Sequence, residues 1–132
     1  MHGSKFRIET LVEPRQARCN TGREEGCQKA VYASKNCVRV PCLMAMFAPA
    51  SKSESYKASY TTKGSGLMVV SGENVTFRPG YVYVLPSTTF RDVGNEFISY
   101  EPVAPHEVVL VTPAILRLLP HMDIRVPIPA EW

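Results

Sequence analysis

The chain has 132 residues, a length typical of one compact domain, and 45% of them are hydrophobic and 20% are charged. These proportions exclude an intrinsically disordered chain. No run approaches the roughly 18 apolar residues that a membrane span needs, and no secretory signal is visible at the N-terminus. We therefore expect a single domain over residues 1–132, located in the cytoplasm and without a membrane partner.

The charge of the chain is mildly basic. Fifteen Lys and Arg against twelve Asp and Glu give a formal net charge of +3, which favours anionic partners such as a nucleotide or a nucleic acid. Basic residues concentrate in the first 25 positions, at Lys5, Arg7, Arg15, Arg18 and Arg23. A solvated surface that keeps the protein in solution explains the same cluster.

All four cysteines lie in the first third of the chain, at positions 19, 27, 37 and 42. A structural zinc site usually includes one tight pair with two to four intervening residues, and only the last pair has such a spacing. With no export signal, a disulfide framework has no more support than zinc. We expect reduced thiols and no metal.

The first half of the chain predicts few regular elements. Residues 31–34 (VYAS) are typical of a strand that ends in a small polar residue. Pro41 is placed to open a helix in which Leu43, Met46 and Phe47 share one face, and Pro49 would end it. Residues 51–65 are rich in Ser, Thr and Lys and predict a mobile surface loop, in which Gly64 and Gly66 belong to a linker.

The second half predicts mainly strands. They are expected at residues 67–71, 75–77, 81–85, 96–100 and 107–112, with a turn over residues 72–74. Thr112 followed by Pro113 predicts the start of a short helix over residues 114–119. The sum is an α+β domain dominated by strands.

Several common catalytic motifs are absent from the sequence. It contains no nucleophile elbow, no H-E-x-x-H, no Walker sequence and no G-x-G-x-x-G. Three short segments are more informative: residues 2–4 (HGS), 31–34 (VYAS) and 95–100 (NEFISY). Each alone has an ordinary explanation, namely an exposed histidine near a terminus, a core tyrosine and a surface carboxylate.

Taken in this order, the three segments resemble the ADP-ribosyltransferase superfamily, in its His-Tyr-Glu branch of poly(ADP-ribose) polymerase-like and diphtheria-toxin-like enzymes. That branch has H-G-[ST] at the end of its first strand, a strand with Tyr before a small residue, and a late N-E-[FYW] strand. A small His-Tyr-Asp transferase that modifies rifampin gives a second comparison, with residues 80–84 (GYVYV) and 99–102 (SYEP) as counterparts. The resemblance covers residues 2 to about 112.

The resemblance implies a compact split β-sheet domain with few short helices, in which the strands bearing Tyr32, Tyr83 and Glu96 line one cleft. It also implies NAD as cofactor and mono-ADP-ribosylation as the activity. The acceptor would be a protein, a nucleic acid or a small molecule, and no metal would be required.

The resemblance further assigns roles to individual residues. Glu96 would be catalytic, because a carboxylate beside the ribose stabilises the oxocarbenium-like state and orients the 2′-hydroxyl. The cofactor contacts would come from His2 on the adenosine ribose, Gly3 on the nicotinamide amide, Tyr32 on the nicotinamide ring, Ser4 and Ser34 through their hydroxyls, and one or two of Arg15, Arg18 and Arg23 on the pyrophosphate.

Alternatives remain open at this point. Glu101 could replace Glu96 as the acid, although an odd separation directs the two carboxylates to opposite faces of one strand. Residues 2–4 could be the remnant of an expression tag. The same fold also serves RNA 2′-phosphotransferases. A noncatalytic nucleic-acid-binding module would use Tyr81, Tyr83 and Tyr100 as stacking surfaces.

Overall fold

A computed structural model describes residues 1–16, 28–35, 37–49, 57–94 and 96–128. Within these ranges the helical segments are α1 (Arg39–Met46) and a 3₁₀ helix (Pro113–Arg117). In chain order the strands are β1 His2–Ser4, β2 Arg15–Gln16, β3 Lys29–Ala33, β4 Phe47–Pro49, β5 Lys57–Thr62, β6 Met68–Glu73, β7 Val75–Phe77, β8 Gly80–Val84, β9 Arg91–Asp92, β10 Phe97–Ser99, β11 Glu107–Val111 and β12 Met122–Ile124.

The strands form four small sheets, with the orders β1-β8-β11, β2-β3-β10-β9, β12-β6-β5 and β4-β7. Every named pair is antiparallel except β12 with β6, which run parallel. The expected α+β class dominated by strands is confirmed. In the part of the chain that the structure describes, no helix is long and apolar enough to cross a membrane.

Helix α1 lies at the centre of the larger apolar cluster. Its residues Leu43, Ala45 and Met46 are buried, and they pack with side chains of β6, β7, β8 and β11. A smaller cluster gathers around the wholly buried Tyr83 of β8. Because β8 contributes to both clusters, it holds α1 and the N-terminal segments in one packed unit.

The predicted helix is confirmed in place but not in its bounds. It begins at Arg39, so Pro41 occupies the third helical position and not the first. A proline is tolerated there because the first four N–H groups of a helix have no partner within the helix. Phe47 starts β4 and pairs with Phe77, so it does not share the helical face with Leu43.

The prediction of a mobile loop over residues 51–65 is wrong where it can be examined. Residues 51–56 lie outside the described ranges, but β5 pairs with β6 over six residues. Gly66 is no linker either, because it closes this hairpin with φ of 78° and donates to the carbonyl of Lys63 at 2.8 Å. The polar composition hid a strand whose stability comes from its apolar partner β6.

Two glycines let the sheet approach the helix closely. A Cβ on Gly3 of β1 would overlap the carbonyl oxygen of Pro41, and a Cβ on Gly80 of β8 would overlap the carbonyl oxygen of Ala45. Strands β1 and β8 therefore lie directly on the backbone of α1. Since β1 also pairs with Tyr81, Val82 and Tyr83, residues 2–4 form an integral strand of the sheet.

We expect Gly80→Ala to lower the free energy of unfolding by roughly 1–3 kcal/mol, because backbone atoms of α1 must shift to admit the methyl group. Gly64→Ala is the matched control, since nothing lies within 4 Å of a Cβ there. Denaturant unfolding of both variants measures the difference. Equal stabilities would show that α1 and β8 are not in direct backbone contact.

Candidate functional site

A cleft opens where two strands meet one edge of β3. At one end of that edge Arg15 of β2 pairs with Ala30. At the other end the amide of Ser34 donates to the carbonyl of Met1 at 2.7 Å, and the terminal amine of Met1 donates back at 2.8 Å. Backbone groups of alternate residues point to the same edge, so the gap between β2 and β1 falls at Tyr32.

The cleft has a volume of about 280 Å³. It brings together five of the residues predicted for the site, namely His2, Gly3, Ser4, Arg15 and Tyr32. Met44 of α1 lines it as well. Strands β1, β2 and β3 each contribute side chains, so residues far apart in the sequence share one concave surface.

His2 is fixed against the wall of this cleft. Its Nδ1 lies 2.6 Å from the carbonyl oxygen of Tyr32, and since a carbonyl only accepts, Nδ1 carries the proton. The Nε2 atom of the neutral ring is then an acceptor. Burial lowers the pKa of His2, the Tyr32 carbonyl opposes that effect, and the positive charges of the terminal amine and Arg15 add to it. His2 is therefore a neutral acceptor near pH 7.

Gly3 turns its backbone toward the cleft. Met1 directs its N–H and C=O to β3, and alternation along the strand directs those of His2 to β8 and those of Gly3 back toward β3. The backbone of β8 alternates in the same way. The carbonyl of Val84 accepts from the amide of His106, so the N–H and C=O of the preceding Tyr83 face β1. Gly3 thus offers one donor and one acceptor at the cleft edge.

Tyr32 lines the cleft between the contacts that β3 makes at Ala30 and Ser34. Its phenol donates to the carbonyl of Gln28 at 3.0 Å and accepts from the amide of the same residue at 3.0 Å. Burial raises the pKa of Tyr32, the Gln28 contact opposes the rise, and the negative charge of Glu96 contributes to it. The phenol remains protonated, and its ring edge is held in a fixed orientation.

Glu96 directly precedes β10. The β10–β3 register pairs Ile98 with Tyr32, and residues two apart share a face, so Glu96 lies on the same face as Tyr32. Burial raises the pKa of this half-buried carboxyl group. Glu96 also raises the pKa of Tyr60, for which burial is the larger cause. Glu96 itself is not among the residues that line the cleft.

The remaining predicted positions differ in outcome. Ser34 pairs with Met1 through its backbone and lies beyond the residues that line the cleft, and Arg18 and Arg23 lie outside the described ranges. Glu101 is exposed past the end of β10. The expectation that β8 lines the cleft through Tyr83 is wrong, because that side chain has no exposed surface and packs beneath β1.

The same burial weakens the stacking surface of the nucleic-acid-binding alternative. Tyr83 is inaccessible and Tyr81 packs against the smaller apolar cluster. Tyr100 is exposed, and its hydroxyl donates to the side chain of Gln28. Of the three tyrosines Tyr100 alone is exposed, so the stacking surfaces that this alternative requires are not all available.

Sequence reasoning missed Phe6 and Met44, which line the cleft, and Cys37 beside α1. Burial raises the pKa of the Cys37 thiol, but N–H groups of Val40 and Arg39 and the Arg39 guanidinium outweigh burial and lower it overall. The available signal for Phe6 was an aromatic residue two positions after the histidine motif, whereas no sequence signal pointed to Met44. Nothing in the cysteine spacing indicated the third.

Comparison of the chain with models of protein families, with curated proteins and with solved structures yields no match. Among the residues with described positions, no group of three or more His, Cys, Asp and Glu side chains is placed to hold a metal ion.

We expect the protein to lose stability as the pH falls below neutral, and we expect the protonation of His2 to contribute to this loss. The pKa of His2 is lower in the folded state than its unfolded value near 6.5. The unfolded chain therefore binds the proton first, and stability is lost as the pH falls below about 6.5 toward the lowered value. Urea unfolding at several pH values between 7.5 and 5 should show a smaller loss for His2→Gln than for the wild type.

His106→Gln is the control for this measurement, because His106 is exposed. It makes the same substitution at a histidine that does not line the cleft. A pH profile of His2→Gln that follows the wild-type curve would contradict the burial of a neutral imidazole at the cleft.

Proposed function

We propose that this protein is an NAD-dependent mono-ADP-ribosyltransferase with a split-sheet fold of the ADP-ribosyltransferase type. The observation that carries the proposal is that five of the predicted residues line one cleft, namely His2, Gly3, Ser4, Arg15 and Tyr32. Glu96 lies on the same face as Tyr32 in the sheet that contains β3 and β10. The divergence of β1 and β2 along one edge of β3 supports the split-sheet arrangement.

The edge of the cleft suits the nicotinamide half of NAD. A carboxamide has one donor and one acceptor side, and the backbone N–H and C=O of Gly3 complement both. The ring of Tyr32 supplies an aromatic face at the same place. Arg15, on the opposite wall, supplies a guanidinium for a pyrophosphate oxygen. His2 offers Nε2 to a ribose hydroxyl as an acceptor.

The reaction breaks the bond between the ribose C1′ and the nicotinamide nitrogen, and the electron pair leaves with nicotinamide. Positive charge develops on the ribose, and an ionised Glu96 stabilises it. The acceptor then forms a bond to C1′ and loses a proton, which a carboxylate can take. A half-buried carboxylate interacts more strongly with that charge than an exposed one, because water screens it less.

We expect Glu96→Gln to reduce the release of nicotinamide from NAD at least about a hundredfold, because the amide keeps the shape of the side chain but removes its charge. Its stability at pH 7 should be equal to or greater than that of the wild type. The pKa of Glu96 is raised by burial, so at pH 7 the folded state carries an ionised group at a cost that the neutral amide avoids.

Glu101→Gln is the matched control, since it makes the same change five residues away at an exposed carboxylate. Nicotinamide production by the three proteins should fall only for Glu96→Gln. Equal turnover by all three would refute the role of Glu96. A selective loss in Glu101→Gln would assign the reaction to the other acid.

We also expect Tyr32→Ala to weaken NAD binding, whereas Tyr32→Phe should retain most of it, because the ring and not the hydroxyl faces the nicotinamide in this proposal. Isothermal titration with NAD at millimolar concentration measures both. Absence of heat for the wild type would remove the support for NAD as cofactor. A loss in Tyr32→Phe equal to that in Tyr32→Ala would indicate that the phenol bonds to Gln28 matter instead.

A further inference from the structure

Phe6 presents an exposed aromatic side chain at the cleft. It lines the cleft, yet 68% of its surface is exposed. Its backbone is fixed on both sides, because its N–H donates to Oγ of Ser4 at 3.2 Å and its carbonyl accepts from the phenol of Tyr83 at 3.1 Å. The exposure of the ring is therefore not the result of a loose chain end.

The anchor of this segment is itself buried. Tyr83 has no exposed surface, and its hydroxyl also accepts the N–H of Ile8 at 2.5 Å. One phenol thus satisfies backbone groups two residues apart and fixes the backbone that carries Phe6. A backbone held in place before binding loses little conformational entropy when a ligand stacks on the ring.

Charged side chains line the same cleft as Phe6. Lys5 and Arg15 line the cleft together with the acid Glu13. Arg7 is exposed and does not line the cleft, and its Nε lies 3.6 Å from a carboxylate oxygen of Glu9. Of the two neighbours of Phe6 in the chain, Lys5 is the cation at the cleft. An aromatic face beside a cation complements a base and its phosphate.

The size of the cleft also favours a nucleotide that extends to Phe6. Its volume of about 280 Å³ is at the lower limit of ligand pockets, which span roughly 300–1,000 Å³. A dinucleotide carries two bases, two riboses and a pyrophosphate, so one of its halves must extend past the enclosed space. Phe6 and Met44 are the strongly exposed apolar side chains that line the cleft where that half would leave it.

We propose that Lys5 and Phe6 form a nucleotide-binding site at the mouth of the cleft, with the base stacked on the Phe6 ring and the phosphate bound by Lys5. The inference deepens the proposed function, on which it rests for the source of the nucleotide. That source is either the outer half of NAD or a nucleotide of a nucleic-acid acceptor.

The test begins with AMP, which presents the base and the phosphate without any bond to be cleaved. Titration of the full chain at low ionic strength should show AMP binding that weakens about tenfold or more in Phe6→Ala. Phe6→Tyr should restore the affinity, because it keeps the ring. Lys5→Gln should weaken binding and reduce its salt dependence.

Leu118→Ala is the control variant, since Leu118 is 82% exposed and does not line the cleft. Its AMP affinity should equal that of the wild type. Absence of AMP binding to the wild type, or equal affinities for the wild type and Phe6→Ala, would overturn the site. Since no turnover is needed, a failure of NAD cleavage would refute the proposed function without changing this result.

A second pair of titrations identifies the source of the nucleotide. If it is the outer half of NAD, Phe6→Ala should weaken the binding of NAD and leave that of nicotinamide mononucleotide unchanged. If it belongs to an acceptor, Phe6→Ala should weaken the binding of a short single-stranded oligonucleotide and leave that of NAD unchanged. If none of these affinities changes, the proposal is overturned.

Discussion

The contact of α1 with β1 and β8 is the constraint on which the rest of the structure depends. Two strands meet the helix backbone at Gly3 and Gly80, where no side chain would fit. This approach buries Leu43 and Met46 in the larger core and brings β8 close enough to serve both apolar clusters. It also fixes the position of β1, so that the backbone of Met1 can bond to that of Ser34. The cleft is thus a consequence of helix packing.

The candidate site combines His2, a histidine with a lowered pKa, and Glu96, a carboxyl group with a raised pKa. Burial causes both effects, since it lowers the pKa of His2 and raises that of Glu96. Partial burial also strengthens the interaction of an ionised carboxylate with a nearby positive charge, because solvent screens it less than at the open surface.

The sequence predicted the elements whose patterns are local. The strand at Val75–Phe77 and the short helix after Thr112 were expected where they occur, because alternation and proline placement act within a few residues. β5 was missed because its partner strand stabilises it. Tyr83 was misplaced because alternation indicates two faces of a strand but not which of them is covered by another layer.

The candidate site was predicted in part for the same reason. Short motifs located His2 and Tyr32, and the structure brings both to one cleft. Phe6 escaped notice because its importance depends on a hydrogen bond from Tyr83, which lies 77 residues away in the chain. Motifs report residue types, whereas the position of the Phe6 backbone depends on an anchor far away in the chain.

Gly3 has a consequence for how the protein can vary. Its α-carbon touches the helix, while its amide and carbonyl face the cleft. Gly3 must therefore remain without a side chain where it meets the helix, while its backbone forms part of the surface of the cleft. Substitutions at this position would lose the fold before any change of ligand preference could be observed. Diversification of the binding surface is left to positions such as Phe6 and Met44, whose side chains are exposed and free of that double demand.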